Sequence, residues 1–130
     1  CSVKNVVVSM QNTLLAEAVA GALQKTGEFR VEQVLPGRPG DALSLCASAK
    51  ADILLMEVSR LSGYTLECRM RLIDSVRRAV PECKFAVLCD ENSDSELARR
   101  VKTARQDHKI DTFFYTSVTS SYLTAAMDAL

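Results

Sequence analysis

Short β-branched apolar runs alternate along this chain with longer stretches whose apolar residues recur about every three to four positions. Asn5-Val-Val-Val-Ser-Met10 predicts a first strand. Gln11-Asn12-Thr13 then offers helix N-cap chemistry, and Leu14, Leu15, Ala18, Val19, Ala22 and Leu23 predict a helix that Gly27 stops. A second strand is expected over 29–35, Pro36 to Gly40 reads as a loop, and Asp41 can cap a short helix to about Ala49, with Leu43, Leu45 and Cys46 inward. The remaining pattern predicts strands at 51–58, 84–89 and 110–115. It predicts helices at about 64–80, with Leu66, Met70, Ile73 and Val76 or Val80 inward, at 95–106, and from Thr119 or Ser120 to Leu130. Five alternations of strand and helix imply a three-layer α/β sandwich, a doubly wound parallel sheet with helices on both faces.

In such a sheet the functional edge lies at the carboxyl ends of the strands. Ala51-Asp-Ile-Leu-Leu-Met-Glu-Val58 carries the question. Its nearly continuous apolar run reads as a strand buried on both faces, yet Glu57 sits near its end. A carboxylate there must be solvated, paired or protonated. Periodicity alone does not give the strand order.

Composition narrows the classes. The chain has 130 residues, enough for one domain with a real core, and 16 basic residues against 16 acidic ones. That balance argues against the domain itself being a strong nucleic-acid binder. Five cysteines without a Cys-x-x-Cys pair, and a single histidine, read as reduced thiols of a cytoplasmic protein rather than a zinc site. No apolar run approaches a membrane span, and glycines are scattered singly, so no glycine-rich phosphate loop exists.

The order of elements, their lengths and the strand ends resemble a bacterial response-regulator receiver domain over essentially the whole chain. Asp52-Ile-Leu-Leu-Met-Glu57 is similar to the family's third strand, whose final aspartate accepts a phosphoryl group, and Glu57 holds that position. Asp111-Thr-Phe-Phe-Tyr-Thr-Ser-Val-Thr119 is similar to the family's segment through the conserved lysine and proline. The resemblance implies a flavodoxin-like sheet in the order 2-1-3-4-5, a single domain over 1–130, and an output domain elsewhere in the full protein. It further implies a two-component signalling role, with transcription regulated through contacts of proteins and DNA touched only by the output domain. No cofactor and no membrane contact are expected.

The departures bear on the chemistry. The family's Mg²⁺-binding acidic pair is matched by Met10 and Gln11, its phospho-acceptor by Glu57, its serine or threonine by Cys89 and its lysine by Thr116. Phosphoryl transfer needs in-line positioning and cations on the equatorial oxygens. The expectation is a non-catalytic pseudo-receiver with no ordinary aspartyl phosphorylation. Glu57 then has three open readings: a fixed charge resembling a phosphorylated aspartate, a ligand of a weak cation site with Asp90 or Glu91, or a solvated strand-end residue. Phe113 matches the family's aromatic switch position. The resemblance makes Arg99, Arg100, Lys102, Arg105, Phe114 and Tyr115, on the fourth helix and fifth strand, a candidate face for a homodimer or another partner. The bland reading of that helix is a solvated face. Cys89 reads as a small filler at a loop edge and His108 as a solvated helix-end residue. An alternative of another class is a small flavodoxin-like enzyme or nucleotide-binding domain, in which Met10 to Thr13 would cradle a phosphate on backbone N–H groups.

Overall fold

The computed structural model describes residues 3–10, 13–34, 41–58, 64–89, 95–115 and 118–130. Strand β1 (Lys4–Ser9) leads to helix α1 (Thr13–Lys25), β2 (Phe29–Gln33) to α2 (Asp41–Ala49), and β3 (Ile53–Glu57) to α3 (Leu66–Ala79). Strand β4 (Lys84–Cys89) leads to α4 (Ser95–Gln106), and β5 (Thr112–Tyr115) to α5 (Ser120–Asp128). All pairings are parallel and the order is β2-β1-β3-β4-β5, as expected. The loops read at 36–40, 59–63 and 90–94 lie outside the described residues.

The central strand explains its own sequence. β3 lies between β1 and β4 with helices packed on both faces of the sheet, so Ile53 to Met56 are all buried. Alternation then divides the core. Val7, Leu54, Met56, Phe85 and Val87 pack with residues of α2, α3 and α4; Val6, Val8, Ile53, Leu55 and Leu88 pack with α1 and α5. At the amino edge, the Asp52 carboxylate accepts the Asn5 N–H at 2.8 Å and the Asp111 carboxylate accepts the Phe85 N–H at 2.8 Å. Each carboxylate thus satisfies a backbone donor near the start of a strand.

Helix α1 is turned from the expected arc. It buries Ala16, Val19, Ala20 and Leu23, whereas Leu14 is exposed. Both stripes have helical spacing; the small Ala16 and Ala20 let the helix approach the sheet closely, and the larger Leu14 is left in water. The helix ends with Gly27 at φ +75°, a conformation in which a Cβ is strained. Helices α2 and α4 end on the same left-handed device without glycine, at Lys50 and His108. The N–H groups of Ala51 and Lys109 reach back to the carbonyls of Cys46 and Ala104 there. His108 is exposed at its helix end, as expected. Among the described residues no helix is long and apolar enough to cross a membrane.

Candidate functional site

The carboxyl ends of β1 and β3 are adjacent. Ser9 pairs in register with Met56, so Met10 emerges beside Glu57. The pleat sends Val6, Val8 and Met10 toward α1 and α5, and Ser9 toward α3. Met10 is 1% exposed, a core side chain. It offers a cation only a weakly accepting thioether.

Helix α3 meets Ser9 with an arginine. Its N-cap is Thr65, whose hydroxyl accepts the Cys68 N–H at 3.3 Å. Leu66, Arg69, Ile73 and Val76 form its buried stripe. Arg69 is 1% exposed, and its guanidinium fork is occupied by the strand ends. Nη1 donates to the Ser9 hydroxyl at 2.9 Å, Nη2 to the Ser9 carbonyl at 2.9 Å, and Nε to the Glu57 carbonyl at 2.9 Å. Its central carbon stands 4.7 Å from the centroid of the buried Tyr64 ring. Burial pushes the guanidinium down to about 10, opposed by Tyr64, by the Glu57 carboxylate and by Cys68. At neutral pH it remains a cation, held by oriented oxygens and a ring face.

The remaining site residues fall into three groups. Gln11, Asp90, Glu91 and Thr116 lie outside the described residues. Cys89 is fully buried in the α2–α4 core, not at an accessible loop edge, because the pleat turns it inward at the end of β4. Phe113 is half-buried, edge-on to Tyr115 with ring centroids 5.5 Å apart. Phe114 corrects the candidate partner face: it is 3% exposed and packs with Leu123 and Met127 of α5, so it is a core residue.

The α4 cations also divide. Arg99 and Arg100 turn toward α3, where Arg100 pairs with Glu67; Arg105 lines a cavity of about 380 Å³ with Phe113, Tyr115 and Tyr122. Lys102 is exposed, one turn before Arg105.

Among the described residues four cysteines are free thiols, and Cys46 and Cys83 share a hydrogen bond. That bond and burial push the Cys46 thiol far up, which keeps it protonated.

No family model matches the chain and no curated protein matches it. Solved structures do. The signal receiver domain of the response regulator NarL from Mycobacterium tuberculosis matches with a TM-score of 0.76 at 17% identity, over 99% of this chain and 96% of that one. The fold is that of a response-regulator receiver domain. A DNA-binding response regulator of the LuxR family from Staphylococcus aureus matches at 0.75 and 12% identity, over 98% of both chains. A member of a family of streptococcal redox sensors evolved from two-component response regulators matches at 0.76 and 20% identity, over 97% of this chain and 50% of that one.

The divalent cation that serves phosphorylated receiver domains does not fit the described part of this edge. Mg²⁺ prefers carboxylate and water oxygens in near-octahedral array. Met10 is apolar, the Ser9 hydroxyl is engaged by Arg69, and the buried guanidinium already places positive charge there. No group of three His, Cys, Asp or Glu side chains among the described residues could hold a metal ion. Arg69 is the residue the sequence reading missed. The signal was present, since residues 66, 69, 73 and 76 share a helical stripe, but a charged residue in that stripe reads as an interruption rather than a member.

Proposed function

We propose that this chain is a pseudo-receiver: a signalling module that works through protein contacts and takes no phosphoryl group from an aspartyl-phosphorylation cycle. The observation that carries the reading is Arg69. It bonds the Ser9 side chain and the backbone of Ser9 and Glu57, so the strand ends are joined by an internal cation. An incoming phosphoryl group would need that space and a second cation for its charge. In this reading Glu57 supplies a standing negative charge at the strand end whose carbonyl Arg69 bonds, and the module rests in one state. The streptococcal redox sensors support the reading from outside, as a family that evolved from response regulators toward another input.

The output face in this reading is α4–β5–α5, with Arg105, Lys102, Tyr115 and Tyr122 as its exposed or half-buried groups. It binds a second copy or a partner protein, and an output domain of the full protein carries any DNA contact. The LuxR-family neighbour, a DNA-binding response regulator, supports a transcriptional role.

The test is incubation with Mg²⁺ and acetyl phosphate, read by intact mass. The expected result is an unmodified chain. Stoichiometric, acid-labile addition mapped to Glu57 would overturn the proposal. Sedimentation of the wild type beside Glu57→Gln and Glu57→Ala tests the standing charge: association should change in both variants, and identical behaviour in all three removes Glu57 from the signalling state.

A further inference from the structure

We infer that the groove between α3 and α4 is a binding site for a nucleotide. The groove encloses about 600 Å³, within the size range of small-molecule sites, and lies on the helical flank away from the Arg69 bonds. Its floor is apolar: Leu66 and Ala104 are buried and Met70 is half-buried. A flat, weakly polar ring gains by covering such a floor, and a methionine adapts to its shape.

The rim is cationic. Arg71 of α3, Arg99 and Arg100 of α4 and Lys109 beyond α4 face Glu67 and Asp107, four cations against two carboxylates, in a chain whose total charge is zero. Arg100 is engaged by Glu67. Forked guanidinium donors match phosphate oxygens in geometry as well as charge.

The end of the groove is anchored. Arg77 donates from Nη2 to the Lys109 carbonyl at 2.8 Å, and the Lys109 N–H bonds the Ala104 carbonyl at 2.9 Å. The turn that carries Lys109 is therefore tied to both helices, which lowers the ordering cost of binding there. An apolar floor with an excess of cations at the rim suits a ring joined to phosphate. Neither a bare anion nor a neutral ring uses both parts.

Titration calorimetry on the full chain tests this with AMP, ATP, GTP and cyclic di-GMP as probes, and adenosine and inorganic phosphate as half-ligand controls. At least one nucleotide should bind saturably, and both controls at least about tenfold more weakly. The Arg71→Glu/Arg99→Glu variant should lose about tenfold or more in affinity, and added salt should weaken wild-type binding. Both side chains are exposed, so circular dichroism should show a wild-type fold; if it does not, Arg99→Gln replaces the double variant. Glu57→Ala should bind as the wild type does, which separates this site from the strand-end reading. The inference is overturned if no nucleotide binds saturably, if charge reversal leaves affinity unchanged, or if polyglutamate binds and nucleotides do not.

Discussion

Arg69 donates to the Ser9 hydroxyl at 2.9 Å, joining helix α3 to the end of strand β1 with both residues 1% exposed. A buried arginine is tolerated only where its nitrogens find acceptors, and here the Ser9 and Glu57 carbonyls engage the other two.

Removing that cation leaves a buried hydroxyl and two carbonyls without their donor. Arg69→Met should lower unfolding stability by about 2–4 kcal/mol, read by urea denaturation. Arg69→Lys should recover only part of the loss, because an ammonium lacks the planar fork that meets three oxygens at once. Wild-type stability in both variants would show that the bonds are incidental.

Phe114 and Tyr122 lie edge to face with centroids 6.2 Å apart, yet they sit in opposite environments. Phe114 is buried and Tyr122 is 63% exposed. Phe114→Ala should cost about 3–5 kcal/mol of stability. Tyr122→Ala should cost well under half of that in the same denaturation experiment and report on partner binding instead.

The thiols should react in order of access. Cys68 is half-buried, whereas Cys46, Cys83 and Cys89 lie inside the core, and the Cys46 proton is held by burial and by its bond to Cys83. Among these four, iodoacetamide with peptide mapping should label Cys68 first, and the other three only as the protein unfolds.

The hydrogen bond from Arg100, and after it one from the backbone N–H of Glu67 itself, hold the Glu67 carboxyl below its ordinary 4.5. A carboxylate with a lowered folded-state pKa adds stability that is present above the unfolded value and is lost as pH falls through the folded one. Carbon-detected NMR titration should place Glu67 below 4.5, and Arg100→Ala should move it back up. Because the pair is exposed, its removal should leave neutral-pH stability nearly unchanged.

Much of the fold was legible because burial repeats with the period of each element. The bounds of α2, β4 and α4 match the pattern, and the interior of β3 is apolar throughout because two strands and two helical layers cover it. The rotation of α1 was not legible, since its stripe through Leu14 and its stripe through Ala16 have the same period. Phe114 looked like a surface aromatic beside Tyr115 for a related reason. On a short strand next to a helix, alternation marks two faces without saying which one is covered.

Sequence alone determined the alternation of elements, the apolar centre of β3 and the carboxylate at its end, because each depends on residues close together in the chain. Only the tertiary structure decided that a buried cation bonds the backbone carbonyl of that same residue. Ser9, Glu57 and Arg69 come from three separate elements, and a guanidinium can be buried only where such distant oxygens converge on it.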